Sequence, residues 1–140
     1  MPTYTVTSAN LALTTDQEAA IAAAITRSHH ETTGAPAYFA QVIFNRIESG
    51  KHYIGGKAYR TPHLFVHGLI RAGRSADVKA ALVKDIAAKV HAISGITAED
   101  IWSIFRILPP PRWWSSAVFC PNRALKNPGA RPCPRRSYRT

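Results

Sequence analysis

Apolar residues recur every three or four positions in two segments of this chain, and a glycine follows each segment. In the first segment, Ala22, Ile25 and His29 share one helical face, and Gly34 comes shortly after them. The second segment ends at Gly95 and carries a longer stripe, formed by Val78, Leu82, Ile86, Val90 and Ile93. This spacing predicts two amphipathic helices, because residues three and four apart lie on the same face. Glycine commonly ends a helix, since it adopts the left-handed conformation at little cost.

Polar residues indicate where both helices begin, and alternating apolar residues predict the strands around them. Thr15 and Glu18 have the spacing of a capping box, and Ser75 is the expected N-cap of the second helix. Alternation predicts four strands, in the segments PTYTVT, YFAQVIFNRI, HLFVHGLI and IWSIF. The order strand, helix, strand therefore occurs twice.

The two copies match without a gap at a shift of 61 residues, which indicates an internal duplication. The matched positions are Ile21 with Leu82, Ile25 with Ile86, Gly34 with Gly95, Ile43 with Ile104, Phe44 with Phe105 and Pro2 with His63. Each crossover should be right-handed and join parallel strands. We therefore expect an α/β fold (α+β by some schemes), in which tandem β-α-β units form a four-stranded sheet with two helices on one face.

The other face of such a sheet has no cover, so we expect the protein to self-associate. Residues 47–62 connect the two copies, and their glycines together with Pro62 predict turns and a short hairpin.

The formal net charge of +10 is distributed unevenly along the 140 residues. Residues 1–108 hold 11 Lys and Arg against 8 Asp and Glu, whereas residues 109–140 hold 7 Lys and Arg, no acid and seven of the ten prolines. We therefore predict one domain over 1–108, with repeats 1–62 and 63–108, and an irregular basic tail over 109–140. No membrane-spanning run or signal peptide is visible, so a cytoplasmic location is expected. Cys120 and Cys133 lack the spacing of a metal site, and neither a metal nor another cofactor is expected.

Two features within residues 1–108 suggest chemistry. Removal of Met1 would leave Pro2 as a free secondary amine, and an α-amino group titrates at about 7.7–8.0, which suits general acid–base catalysis. Arg71 and Arg74 lie between a strand and a helix N-terminus, where guanidinium and free N–H groups suit a carboxylate. The alternatives are that Pro2 only begins an edge strand and that the arginines are solvated loop residues. His29 ends the inward helix face, and His30 beside it is expected to be a surface histidine.

Taken in order, Pro2, ITRSHHETTG, QVIF, FVHGLIRAGRSAD and IW resemble the tautomerase superfamily over residues 2–108. The most similar branch is that of cis-3-chloroacrylic acid dehalogenase. The resemblance implies a homotrimer of β-α-β pairs. It also implies that the Pro2 nitrogen is the catalytic acid or base, that Arg71 and Arg74 bind the substrate carboxylate, and that His29 hydrogen-bonds to a substrate oxygen.

The chain departs from that branch at the two groups that activate water. The branch has a tyrosine where this chain has Ile104, and a Met-Val-Glu-(Tyr/Phe)-Gly segment where it has residues 109–116. Codons for Arg112 to Ala117 can be chosen so that reading from the base before the Trp113 codon gives Met-Val-Glu-Phe-Gly. We therefore interpret the chain from about residue 109 onward as a frameshifted tail, and a divergent, functional basic tail is the alternative.

These features predict proton transfer on a small 2-oxo or unsaturated carboxylic acid. Keto–enol tautomerisation is favoured over dehalogenation or hydration, because both of those reactions need activated water. The expected partners are a small carboxylate substrate and further copies of this chain, with no membrane and no specific nucleic acid. Two alternatives stay open: an inactive remnant of such an enzyme, and a protein that binds nucleic acid through its basic tail.

Overall fold

The computed structural model describes residues 2–108, which form six strands and two long helices. Their bounds are β1 Thr3–Ala9, α1 Thr15–Thr33, β2 Gln41–Ile47, β3 Tyr53–Ile54, β4 Lys57–Ala58, β5 His63–Arg71, α2 Ala76–Ser94 and β6 Ile101–Leu108. Met1 and the predicted basic tail, residues 109–140, lie outside the described residues. Within the described part, neither helix is long and apolar enough to cross a membrane.

The main sheet has the strand order β2-β1-β5-β6, so each repeat contributes two neighbouring strands. β1 pairs with β2 in parallel, and β5 pairs with β6 in parallel. β1 and β5 meet at the centre of the sheet and are antiparallel, with Val6 opposite Val66. This topology confirms the predicted fold class.

Both helices cover one face of the sheet, and the hydrophobic core lies between these two layers. Its buried members are Tyr4, Val6, Ile21, Ile25, Leu64, Val66, Ile70, Leu82, Ile86, Val90, Ile96 and Ile101. Most of the predicted helix stripes are therefore buried, whereas Ala22, Val78 and Ile93 are only half-buried. The connection between the repeats contains the expected hairpin, formed by β3 and β4.

The helix ends follow the sequence signals, with one correction at the start of α1. Thr14, not Thr15, is the N-cap: its hydroxyl accepts a hydrogen bond from the Gln17 N–H at 3.2 Å, and the Gln17 side chain accepts one from the Thr14 N–H at 3.0 Å. Thr14 takes this role because its backbone is extended, while Thr15 is already helical. Ser75 caps α2 as predicted, and Gly34 and Gly95 end the helices in the left-handed conformation.

The helices of the two repeats follow the predicted shift, since α2 begins and ends 61 residues after α1. Small details repeat as well. His30 and His91 each donate from Nδ1 to a carbonyl five residues further along the chain. The hydroxyls of Thr33 and Ser94 each donate to the carbonyl four residues earlier.

The first strand of each repeat does not follow that shift, so the predicted match of Pro2 with His63 is wrong. Tyr4 and Val6 face the helices, whereas a shift of 61 would place Phe65 and His67 in their positions, and these two lie on the opposite face. The pairings of β1 with β2 and of β5 with β6 give a shift of 62, which makes Leu64 the equivalent of Pro2. The loop before α2 is one residue shorter than the loop before α1, and one residue reverses the face that a strand residue occupies.

Candidate active site

Pro2 lies at one edge of the sheet, where β1 and β2 begin and β5 and β6 end. It is buried, and its carbonyl accepts a hydrogen bond from the Gln41 N–H at 3.1 Å. Because β1 is a central strand, Pro2 stands between the start of β2 and the end of β5. We call this line of strand ends, with Pro2 and the residues described next, the proline edge; the term does not refer to an outer strand of the sheet.

His29 reaches the proline edge because α1 runs back over the sheet from the far end of β1. Its side chain is buried, with 2% of the residue exposed, and its Nδ1 lies 2.7 Å from the hydroxyl of Tyr4. The two rings meet edge to face with centroids 5.8 Å apart. Burial, and then the nearby charge of Arg74, lowers the pKa of His29 to about 4. The imidazole is therefore neutral at pH 7.

Tyr4 is neutral as well. Burial raises the pKa of the Tyr4 hydroxyl, and the positive charge of Arg74 only partly opposes this shift. The hydroxyl therefore keeps its proton and remains a hydrogen-bond donor. The sequence offered one signal for this pair: a tyrosine on the core face of a strand needs a partner for its hydroxyl.

The two arginines also lie at the proline edge, on the segment that joins β5 to α2. Arg71 is the last residue of β5 and is exposed. Arg74 is half-buried and precedes the N-cap of α2, so it lies beside the positive end of the helix. Its Nε is fully buried and has no hydrogen-bond partner within residues 2–108.

Gly68 makes room for the Tyr4 ring, and sequence reasoning did not identify this role. Gly68 lies opposite Tyr4 across the β1–β5 pair. A Cβ atom on Gly68 would lie 2.7 Å from Phe105 Cδ1 and 3.0 Å from Tyr4 Cε1, closer than packed atoms allow. The signal was a glycine inside a strand, which often marks a close approach of other groups.

All four predicted site residues thus lie at the proline edge, with Arg74 near enough to lower the pKa of His29 and Arg71 at the end of β5, whereas other candidate positions lie elsewhere. His30 is exposed and bound to the Ala35 carbonyl at 2.8 Å, as expected of a surface histidine. Ile104 lies on the sheet face opposite the helices and is 52% exposed, so it is not beside Tyr4 and His29 in one protomer.

A groove of about 560 Å³ runs along α1, but none of the four predicted site residues lines it; its walls are Ala22, Ala23, Thr26, Arg27, His30, Ala37, Ala40 and Val42. Among residues 2–108, no three His, Cys, Asp or Glu side chains are arranged to hold a metal ion.

Comparison with known proteins gives a consistent result for this fold and site. The family model described as "Putative oxalocrotonate tautomerase enzyme" matches residues 1–100. The crystal structure of N1, a member of the cis-3-chloroacrylic acid dehalogenase family, is 30% identical with a TM-score of 0.72, over 76% of this chain and 75% of N1. Native Ps01740 is 27% identical with a TM-score of 0.69, over 80% of this chain and 96% of that one. A search of curated protein sequences gives no significant match.

More distant structures share the fold alone. A symmetric trimer of wild-type fused 4-OT has a TM-score of 0.70 at 21% identity, over 76% of this chain and 85% of its own. The family match ends at residue 100, just before β6, and so covers most of the two repeats. On this evidence, the chain belongs to the tautomerase superfamily, in its cis-3-chloroacrylic acid dehalogenase-like branch.

Proposed function

We propose that this chain is a tautomerase in which Pro2 is the base and a small 2-oxo carboxylic acid is the substrate. One observation carries the proposal: the buried Nε of Arg74 lacks a hydrogen-bond partner within residues 2–108, at the same edge where Pro2 precedes β1. A buried N–H without an acceptor is costly, and a substrate carboxylate would satisfy it. Arg71, at the end of β5, would add a second positive charge.

The proposed reaction is a proton transfer between carbon and oxygen. After removal of Met1, neutral Pro2 takes a proton from the carbon next to the carbonyl, and the protonated Pro2 then delivers this proton to the enolate oxygen to give the enol. The reverse steps return the keto form. Arg71 and Arg74 hold the carboxylate and stabilise the negative charge that develops on the enolate.

His29 serves in this scheme as a hydrogen-bond donor to a substrate oxygen and not as an acid. Burial and the charge of Arg74 lower its pKa to about 4, so the imidazole is neutral at pH 7 and has no second ring proton to give up. A neutral donor next to two guanidiniums still lowers the energy of an enolate, because its N–H dipole is already oriented.

Dehalogenation and hydration fit this chain less well than tautomerisation. Both reactions need a polar group that deprotonates or orients water opposite the proline. Ile104, which stands where the related branch has a tyrosine, offers no hydrogen bond. We therefore expect turnover of cis-3-chloroacrylate to be much slower than tautomerisation of phenylpyruvate.

We also propose that the enzyme works as a homotrimer in the cytoplasm. The sheet face opposite the helices exposes large apolar side chains, including Ile43 at 41%, Trp102 at 49% and Ile104 at 52%. An apolar surface of this kind favours association, and the fused 4-OT structures of the same fold are trimers. Light scattering should give three chains per particle, and Trp102→Arg should lower that number because it introduces a charge on this face.

The function is tested by two measurements on one purified sample: the intact mass and the rate of phenylpyruvate tautomerisation. The expected result is a mass without Met1 together with rapid enol–keto conversion. An active sample that retains Met1 would contradict Pro2 as the base, because an amide nitrogen does not take up a proton at neutral pH. A sample without Met1 and without activity would favour the inactive remnant.

A further inference from the structure

Within the described residues, the Tyr4 hydroxyl has a single hydrogen-bond acceptor to which it can donate. Its one hydrogen-bond partner there is His29 Nδ1, at 2.7 Å, and both residues are buried. If Nδ1 carried the proton and donated to Tyr4, the hydroxyl hydrogen would be left buried without an acceptor, which is unfavourable. The hydroxyl must therefore donate, and Nδ1 must accept.

We propose that Tyr4 is a positioning residue, which holds His29 in the neutral form protonated on Nε2 and so presents an N–H to the substrate. A neutral imidazole has one donor and one acceptor nitrogen, and the partner of one nitrogen decides the state of the other. The role of Tyr4 in turnover rests on the proposed tautomerase function. The protonation of His29 is a property of the protein alone.

The surroundings of Tyr4 fix its ring as well as its hydroxyl. The ring meets Phe105 edge to face at 5.8 Å on one side and His29 at the same separation on another. Gly68, opposite Tyr4 on β5, leaves the space that the ring occupies. Three neighbours thus hold the hydroxyl on Nδ1, and the hydrogen bond does not depend on a bound ligand.

The test compares the wild-type protein with Tyr4→Phe, which removes one oxygen and keeps the ring. Tyr59→Phe is the matched control, because it removes a hydroxyl that donates to Asp100 at 2.8 Å, far from the proline edge. Nitrogen-15 NMR of histidine-labelled protein reports which ring nitrogen is protonated, and His29→Asn identifies the His29 signals among the six histidines. The rate of phenylpyruvate tautomerisation is measured on the same samples.

In wild-type protein and in Tyr59→Phe we expect His29 to be protonated on Nε2. In Tyr4→Phe we expect a mixture of the two neutral forms and a kcat lowered about tenfold, with a smaller change in KM. A wild-type His29 protonated on Nδ1 would overturn the proposal, as would a Tyr4→Phe protein with unchanged His29 signals. If no variant shows tautomerase activity, the proposed function fails, while the NMR comparison still decides the role of Tyr4.

Discussion

The two repeats build the same scaffold at opposite ends of the sheet, the proline edge and a second edge where β5 and β6 begin, yet the candidate site residues of the first have no polar counterparts at the second. At the proline edge these are Pro2, Tyr4, His29, Arg71 and Arg74. The structurally equivalent positions of the other repeat are all apolar: Leu64, Val66, Val90, Ala9 and Leu13. The duplication therefore supplies the backbone twice, whereas the candidate chemistry depends on five side chains that were kept or acquired once.

At the second edge, side chains from the connection between the repeats pack around His63. His63, at the start of β5, lies against Trp102 with ring centroids 5.1 Å apart and against His52 from the connection at 5.2 Å. Tyr59, also from the connection, donates to Asp100 at 2.8 Å. The segment between the repeats thus packs over the second edge. At the proline edge, the corresponding position before the first strand of the repeat is held by Pro2.

The largest expected effect comes from replacing Pro2. Pro2→Ala should lower kcat for phenylpyruvate tautomerisation by about 10²–10⁴-fold, the usual contribution of a positioned general base. The new terminal residue is a primary amine with a different basicity and direction. Circular dichroism should show an unchanged fold.

Pro62→Ala is the matched control, because Pro62 precedes β5 at the second edge and is exposed. Its activity should equal that of the wild-type protein. Equal rates in Pro2→Ala and Pro62→Ala would remove the functional difference between the two edges.

The arginines come next in size. Arg71→Ala and Arg74→Ala should each lower kcat/KM about ten- to hundredfold, because a hydrogen bond to a charged group contributes about 1.5–3 kcal/mol. Arg60→Ala, an exposed arginine of the connection, is the control and should have little effect. An ester of the same substrate should be insensitive to both site changes, and equal losses on acid and ester would count against carboxylate binding.

The loss of folding stability at acidic pH should involve both edges, because each contains a buried histidine. The pKa of His29 is lowered to about 4, and burial followed by the charge of His52 lowers that of His63. Between pH 6.5 and pH 4 the unfolded chain therefore binds more protons. The stability from His29 is complete above pH 6.5 and falls with decreasing pH by about 1 kcal/mol per unit.

Chemical unfolding at several pH values checks this expectation. His29→Asn should reduce the slope of the unfolding free energy against pH by an amount that corresponds to at most one bound proton. The double variant His29→Asn/His63→Asn should have a still smaller slope. A slope in His29→Asn equal to that of the wild-type protein would mean that His29 is not held neutral by the fold.

The smallest effect is expected from deleting residues 109–140. Tautomerase activity should change by less than about twofold, since all five polar groups of the proline edge lie within residues 2–108. Binding of a nonspecific RNA or DNA at low salt should fall, because seven positive charges are removed. A large loss of activity would indicate that the tail has a role at the site, contrary to its interpretation as a frameshift product.

The sequence predicted the helices and the order of elements along the chain well, because their signals are local. Ser75, Gly34 and Gly95 act through hydrogen bonds and backbone conformations that involve only nearby residues. Pro2, Arg71 and Arg74 were singled out by residue type and position, the roles of all four site residues came from a resemblance, and the fold places the four at one edge. What the sequence missed depends on distant contacts: Tyr4 with His29 spans 25 positions, and Gly68 with Tyr4 is a cross-strand pair. The one-residue difference between the repeats was missed because a gapless match takes no account of which face a strand residue occupies.

The central position of β1 has a practical consequence for how the protein is handled. Chain ends usually fray, but the residue after Met1 is held between two strands, with Gln41 bonded to its carbonyl. A purification tag joined ahead of Pro2 would convert the proposed basic amine into an amide and would have to leave the sheet between β2 and β5. Tags and fluorescent labels therefore belong at the other end of the polypeptide, and an inactive preparation with an amino-terminal tag says nothing about the activity of the untagged protein.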